Sequence, residues 1–396
     1  MKIVFAPDSF KGSLSALEIT RLLEEVAGRH FPGCERVSVP VADGGEGTVD
    51  ALVAACGGRE DSCVVTSPLG TPVLARYGML ADGTAVIEMA QASGLPLVGS
   101  RPDPLRASSY GTGELVVHAL DAGVDKLLIG IGGSATNDGG MGMLAALGAR
   151  FEDDKGQSLR GSGADLCRVS RVDLSGLHPK LAHAQITVIC DVTNPLLGTT
   201  GATAVYGPQK GVTPALAAML EKGMKRYAKL LSAAVNREIA DIPSAGAAGG
   251  MGAALGGVLG AKLRPGIDAV LEAAHFDALL AGCDLVVTGE GRLDGQSVRF
   301  GKVPTGVARR CAALDIPVIA IVGGIGEGAG AYYDLGLVSI VTTVSGIMPM
   351  SRAMAQARML YIDAAERAFR LVRIGMQIGQ KPEKPSKQGA GGRSDA

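Results

Sequence analysis

The stretch VSVPVADGGEGTVDALVAA, residues 37–55, decides how the fold is predicted, because it begins as an apolar strand and ends as an apolar helix. Between strand and helix lies Asp43-Gly44-Gly45-Glu46-Gly47. A simple turn needs one glycine and a helix start needs one capping acid, whereas this junction has three glycines and two carboxylates. The composition of the junction therefore indicates a loop that contacts a ligand or a metal ion.

The segments before this stretch predict a parallel sheet. Residues 2–6 form a short apolar run that is typical of a buried strand, and residues 36–41 form a second one. Ser15 and Glu18 form a capping box that predicts a helix from there to about Arg29. The order strand, helix, strand, helix is typical of parallel sheets in α/β proteins.

The middle of the chain has a different pattern, and the first pattern returns near the end. Residues 74–80 and 84–89 alternate like an antiparallel pair, and the small residues 245–260 predict one close-packed helix. From Asp284 onward, predicted strands at 285–288, 317–322 and 338–343 alternate with helices at 303–313 and 352–370. We therefore predict an α/β protein with a discontinuous Rossmann- or flavodoxin-like parallel-sheet domain (residues 1–66 and 284–375), an inserted mixed α/β domain (67–283) and a disordered tail (376–396).

Composition excludes several classes of function. The net charge of −1 gives no global basic field for nucleic acid or an acidic membrane, and tryptophan is absent. No stretch approaches the roughly 20 apolar residues of a membrane span. The seven cysteines lack CxxC spacing, which favours reduced thiols and a cytoplasmic protein over a disulfide framework or a zinc site.

The predicted loops after the strands share one chemistry. Ligands of open α/β sheets bind beyond the carboxyl ends of the strands. Carboxylates, hydroxyls or amides cluster at six such places, namely residues 8–13, 43–47, 132–138, 191–194, 289–295 and 323–328, and all of these except 191–194 also contain glycine. Backbone N–H groups favour a bound anion, whereas carboxylates repel it unless a divalent cation lies between. Phosphoryl transfer requires this combination, and four cations are available to neutralise charge: Lys11, Lys210, Arg292 and Lys302.

Simpler interpretations remain for each loop taken alone, since an acid after a strand is commonly a helix cap and a glycine turn is commonly geometry. A Walker A loop is absent, which argues against a P-loop kinase. The run Gly130-x-Gly132-x-x-Ala135, with Glu152 farther on, matches a dinucleotide fingerprint weakly. An NAD(P)-dependent dehydrogenase of a small hydroxy acid is therefore the alternative.

Several long motifs resemble one family in a fixed order. They are APDSFKGSLSA, ADGGEGTVDAL, GIGGSATNDGGMGM, CDVTNPLLG, GPQKG, GAAGGMGAAL and VVTGEGRLDGQS, and they span about residues 1–375. This series resembles the bacterial type-1 glycerate kinase family, which includes the tartronate-semialdehyde-pathway enzymes. The resemblance implies ATP- and Mg²⁺-dependent phosphorylation of D-glycerate in a two-domain α/β fold with a discontinuous first domain. The product expected from the family is 2-phosphoglycerate.

The roles of individual residues are our own prediction. They assume that the phosphoryl group is transferred in line to a substrate hydroxyl in an interdomain cleft. The predicted catalytic residues are Asp43, as first choice for the general base, Asp191, as second choice, and Lys11. The predicted substrate-binding residues are Asp8, Ser9, Gly44, Gly45, Glu46, Gly132, Gly133, Ser134, Asn137, Asp138 and Asn194. The predicted ATP-binding residues are Gly289, Glu290, Gly291, Arg292 and Lys302. The predicted Mg²⁺ ligands are Asp191, Glu290 and Asp294. The expected partners are D-glycerate and ATP, without nucleic acid or membrane, and homo-oligomerisation is left open.

Overall fold

A computed structural model describes residues 1–295 and 302–379 of the chain. Its strands are β1 (Lys2–Pro7), β2 (Glu35–Ser38), β3 (Gly58–Thr66), β4 (Pro72–Leu80), β5 (Thr84–Glu88), β6 (Lys126–Gly130), β7 (Arg150–Asp153), β8 (Ser158–Leu159), β9 (Val169–Asp173), β10 (Gln185–Ile189), β11 (Lys262–Arg264), β12 (Leu285–Gly289), β13 (Arg292–Leu293), β14 (Val318–Val322), β15 (Gly324–Ile325) and β16 (Leu337–Thr342).

The α-helices of the described residues are α1 (Ala16–His30), α2 (Thr48–Cys56), α3 (Ala90–Ser93), α4 (Tyr110–Asp121), α5 (Met141–Ala146), α6 (Ala202–Tyr206), α7 (Pro214–Val235), α8 (Ala247–Gly252), α9 (Gly266–Ala273), α10 (Phe276–Leu279), α11 (Val303–Ala312), α12 (Met350–Ala355) and α13 (Ala357–Gly379). The predicted capping box is present, because the Ser15 side chain accepts from the Glu18 N–H and the Glu18 carboxylate accepts from the Ser15 N–H. No helix of the described part has both the length and the apolar character needed to cross a bilayer.

Two large sheets form the body of the molecule. The first has five parallel strands in the order β16-β14-β12-β1-β2, so strands from both ends of the chain lie side by side. The second has six strands in the order β11-β10-β6-β5-β4-β3, of which β5, β6, β10 and β11 are parallel, whereas β3 and β4 pair antiparallel. The predicted α/β class, with a discontinuous parallel sheet and a mixed sheet from the middle of the chain, is confirmed.

The two sheets share an apolar core. One cluster of buried side chains contains Val4 of β1 together with Val86 of β5 and Leu128 of β6. Val49 and Leu52 of α2 belong to the same cluster. The helix that follows the Asp43 loop is therefore packed between elements of both sheets, which fixes the loop relative to both.

Strand β3 was not predicted, and it bears on where the inserted domain begins. It pairs with β4 over nine residues and so belongs to the six-stranded sheet, although the predicted first segment ran to residue 66. The division into two domains, with its boundaries, stays a prediction.

Residues 245–260 are closely packed and largely helical, as predicted, but they do not form one continuous helix. Ala248, Gly249 and Gly250 have left-handed backbone conformations inside α8, and a π-helix follows at Ala253–Val258. The physical reason is close packing, because a side chain at Gly249 would collide with the Thr136 carbonyl. Small residues here allow backbone to approach backbone rather than extend a helix.

The predicted last helix and tail are also corrected. The predicted helix 352–370 is two helices, and α13 continues to Gly379, so residues 376–379 are helical rather than disordered. Its buried face, which includes Tyr361 and Phe369, packs on the same core cluster as α1. The rest of the predicted disordered tail lies outside the described residues.

Candidate active site

The Asp43 loop lies against the carboxyl ends of strands in the second sheet. Gly44 has φ +86°, and a side chain there would run into Ile189 at the end of β10. A side chain at Gly130, the end of β6, would run into the Gly44 carbonyl, and one at Gly132 would lie 3.2 Å from the Gly45 Cα. The glycines of both loops are therefore required because the two backbones touch.

A cleft of about 1010 Å³ opens beside this contact. Segments from both sheets line it, including residues 8–17, 41–47, 131–134, 189–192 and 209–210. Eleven of the residues predicted to act in catalysis or substrate binding face it: Asp8, Ser9, Lys11, Asp43, Gly44, Gly45, Glu46, Gly132, Gly133, Ser134 and Asp191. Loops that are far apart in the sequence thus meet in one cavity, as an active site of this composition requires.

Asp8, Lys11 and Asp43 form a charged group on the first-sheet side of the cleft. The Lys11 Nζ lies 3.4 Å from the Asp43 Oδ2. Burial, followed by the negative charge of Asp43, raises the pKa of Asp8 to about 7, although the Ser9 N–H donates to the Asp8 Oδ1 at 2.6 Å. Asp43, and then Asp8, raise the pKa of Lys11 against the opposing effect of burial. The group combines a stable cation with a carboxyl poised to exchange a proton near neutral pH.

Asp191 adds a carboxylate from the end of β10. Its Oδ1 accepts from the Gly266 N–H at 2.7 Å, so the side chain caps the start of α9. Burial is the main reason that the pKa of Asp191 is raised to about 6, with a smaller contribution from Asp43, whereas Lys302 and Lys11 oppose it. Asp191 is therefore electrostatically linked to the Asp8 group and to the predicted ATP loop.

The predicted ATP-binding residues border the cleft without lining it. The Asp8 N–H donates to the Gly289 carbonyl at 2.8 Å, and a side chain at Gly291 would lie 3.5 Å from the Phe10 Cα. The Lys302 Nζ is 4.0 Å from the Glu290 Oε2, and Glu290 also helps to raise the pKa of Lys11. This loop therefore lies next to the Asp8 group.

The predicted metal ligands do not form a closed cage. The Asp294 Oδ2 lies 3.5 Å from the Arg292 Nε at the edge of this loop. Within the described ranges, no group of three or more histidine, cysteine or acidic side chains is arranged to hold a metal ion. Mg²⁺ is usually held by one or two carboxylates plus substrate phosphates and water, which the donors around Asp191 and Glu290 fit. The assignment of Asp191, Glu290 and Asp294 stays a prediction.

Three predicted substrate-binding residues, namely Asn137, Asp138 and Asn194, do not line the cleft. Asp138 is fully buried and accepts from the Ser109 N–H and Oγ and from the Gly140 and Gly142 N–H groups. Asn137 is fully buried and donates to the Thr203 Oγ1 at 3.1 Å. Asn194 accepts at 2.6 Å from the hydroxyl of Tyr206, which lines the cleft. These contacts favour supporting roles over direct substrate binding.

Several polar residues of the cleft were not among the predicted site residues, and the most buried of them are Glu88 and Lys210. Glu88 ends β5, and its carboxylate accepts from the Val49 N–H at the start of α2 at 2.8 Å. Polar residues at the ends of parallel strands are candidate site residues, and Glu88 is one of them because β5 pairs parallel with β6. The sequence pattern predicted only the antiparallel pairing of β5 with β4, so Glu88 was missed. The sequence identifies Lys210 only as an available cation, because no sequence pattern reveals that it is buried.

Comparisons with known proteins point to one family. The model of the Glycerate kinase family matches residues 3–373. Glycerate kinase of Bacillus subtilis is 48% identical over 359 residues, which cover 90% of this chain and 94% of the relative. Glycerate 2-kinase of Escherichia coli is 45% identical over 383 residues, which cover 96% and 99%.

A solved structure is similar over the same extent. The crystal structure of a putative glycerate kinase 2 from Salmonella typhimurium LT2 has a TM-score of 0.86 and 46% identity, with 95% of this chain and 99% of that chain covered. The dehydrogenase alternative has no support in these comparisons. Because the family model and several relatives extend over nearly the whole sequence, the chain belongs to the glycerate kinase family.

Proposed function

We propose that this chain is a glycerate kinase that transfers the terminal phosphoryl group of ATP to a hydroxyl of D-glycerate. The observation that carries the proposal is that Asp8, Lys11, Asp43 and Asp191 meet on one cleft with exposed glycine loops. Acids that take a proton and amides that hold an anion are the two groups that this transfer needs. We infer the substrate from the names of the relatives and the type of reaction from the residues of the cleft.

We assign a role to each residue from its position around the cleft. Asp43 acts as general base on the attacking hydroxyl, with Asp191 as second choice, and Lys11 stabilises negative charge that develops on the transferred group. Gly132, Gly133 and Ser134 face the acceptor, whereas Gly289–Arg292 and Lys302 hold the nucleotide phosphates. Asp191 and Glu290 would hold Mg²⁺, which when bound neutralises phosphate charge. The proposed product is 2-phosphoglycerate, in line with the name of the Escherichia coli relative, glycerate 2-kinase.

We also propose a cytoplasmic protein whose partners are these small molecules. All seven cysteines are free, which suits a reducing compartment. The net charge of −1 offers no general attraction for nucleic acid or acidic lipid.

The test is a phosphorus NMR assay with the full chain, ATP, Mg²⁺ and D-glycerate. We expect ADP and one new phosphomonoester signal, whose coupling to the C2 proton identifies 2-phosphoglycerate. A signal coupled to the C3 protons would correct the position and keep the kinase. Unchanged ATP, with consumption of NAD(H) in a parallel assay, would refute the proposal.

A further inference from the structure

Lys210 is a buried cation at the edge of the cleft. Only 1% of the residue is exposed, yet it lines the cavity. Its Nζ donates to the Ser134 Oγ at 2.8 Å and to the Thr136 carbonyl at 2.6 Å. A lysine ammonium has three N–H donors, so these two neutral acceptors leave one donor for a further partner.

The local sequence turns this side chain inward. In the segment Gly207-Pro208-Gln209-Lys210-Gly211, the Lys210 N–H donates to the Gly207 carbonyl at 2.9 Å and the Gly211 N–H to the Pro208 carbonyl at 3.1 Å. Gly211 has φ +87°, and a side chain there would lie 2.9 Å from the Pro102 carbonyl. The tight turn is thus fixed by its glycine, and the position of Lys210 follows from it.

The charge of Lys210 has no close counter-ion in the described part of the chain. None of the ion pairs within 4.0 Å there includes it. Asp138 is the carboxylate that acts on it, but Asp138 already accepts hydrogen bonds from Ser109, Gly140 and Gly142. Burial lowers the pKa of Lys210 to about 7. A buried cation is costly unless an anion neutralises it, so the site favours an anionic ligand.

We propose that Lys210, oriented by Ser134, binds the carboxylate of the acceptor substrate and so distinguishes a hydroxy acid from a neutral polyol or amide. The inference rests on the proposed function. A single amine beside a serine hydroxyl matches one carboxylate, whereas the nucleotide phosphates carry more charge and require several cations. Those cations, Lys11 and Lys302, lie around Asp43 and Glu290.

The experiment compares D-glycerate with its neutral amide, D-glyceramide, as acceptors for the wild type and for Lys210→Gln, which replaces the ammonium with a neutral amide that is one atom shorter. Because loss of one partner of a buried charge pair is expensive, kcat/KM for D-glycerate should fall by ~10²-fold or more. The value for D-glyceramide and the KM for ATP should change by less than about threefold, since neither ligand uses the ammonium. Lys225→Met, on an exposed part of α7, controls for the lost positive charge and should leave all three values unchanged.

A second variant, Ser134→Ala, tests the inference even if Lys210→Gln fails to fold. Ser134→Ala leaves the ammonium and removes the hydroxyl that orients it, so it should lower the preference for D-glycerate over D-glyceramide by ~10-fold. Equal losses for both acceptors, or a raised KM for ATP, would overturn the inference by assigning Lys210 to packing or to the nucleotide.

Calorimetric titration with D-glycerate separates the two proposals. If the wild type binds D-glycerate through Lys210 but transfers no phosphate, the proposed function fails and the inference stands. If phosphate is transferred and Lys210→Gln keeps the wild-type preference, the inference alone fails. If the wild type neither binds nor phosphorylates D-glycerate, both fail.

Discussion

Asp8 is a carboxyl group whose ionisation opposes folding. Burial and the charge of Asp43 raise the pKa of Asp8 to about 7, from 3.8. Between about pH 4 and pH 7 the folded chain therefore binds more protons at Asp8 than the unfolded chain, so this residue makes the protein less stable as pH rises through that window. This loss of stability fits an active-site role, because groups with strongly shifted pKa values cluster at functional sites.

Asp8→Asn should therefore stabilise the protein more at pH 8 than at pH 5. One pKa unit corresponds to about 1.4 kcal/mol, so the advantage in the free energy of unfolding should grow by roughly 2–3 kcal/mol across that range. Urea unfolding in the presence of EDTA measures it, and exposed Asp241→Asn is the control. An advantage that does not vary with pH would contradict the electrostatic explanation.

Asp43→Asn should lower kcat by at least ~10²-fold, the low end for general acid–base catalysis. The amide keeps the shape of the side chain but cannot take the proton of the attacking hydroxyl. Steady-state kinetics at saturating ATP and D-glycerate, with Asp241→Asn again as control, measures the loss. Near-normal turnover would remove Asp43 as the base and leave Asp191 or Asp8 in that role.

Gly44 shows why the loop after β2 is rich in glycine. Gly44 and Gly83 both have φ +86°, but a side chain at Gly44 would collide with Ile189, whereas nothing lies within 4 Å of one at Gly83. Gly83→Ala should cost about 1 kcal/mol of stability from its left-handed backbone. Gly44→Ala should cost about 1–3 kcal/mol more, because overpacking adds to that strain.

The same pair of variants links the loop to activity. Gly44→Ala should also lower kcat/KM, because the clash displaces the neighbouring Asp43, whereas Gly83→Ala should not. Urea unfolding and steady-state kinetics on both variants give the comparison. Equal stability losses in the two variants would show that the Gly44 backbone does not press on β10.

The elements that sequence predicted well are those with a local signal. The capping box at Ser15 is present as predicted, and the glycine-acid loops do follow parallel strands. The predictions from sequence failed where contacts between distant segments determine the local structure. The left-handed turn at Ala248 depends on contact with the 136–139 segment, and the pairing of β5 with β6 depends on a strand that lies far along the chain.

The molecule as a whole brings loops from both sheets to one cleft, and the sequence predicted this only in part. Recurrent glycine and acidic residues indicated which loops would meet, because parallel strands end at the same edge of a sheet. The pattern could not show that Asp138 and Asn137 are buried and do not line the cleft or that Lys210 faces it. Burial of a polar side chain depends on packing between distant segments, which residue types alone do not specify.

The most direct test of a shared cleft is a crystal structure of the chain with D-glycerate, Mg²⁺ and a non-hydrolysable ATP analogue. We expect D-glycerate between the Asp43 loop and Ser134, with a hydroxyl about 2.6–3.2 Å from the Asp43 carboxylate. The terminal phosphate should face that hydroxyl from the side of the 289–292 loop. D-glycerate bound outside this cleft, or contacted by only one of the two sheets' loops, would contradict the account.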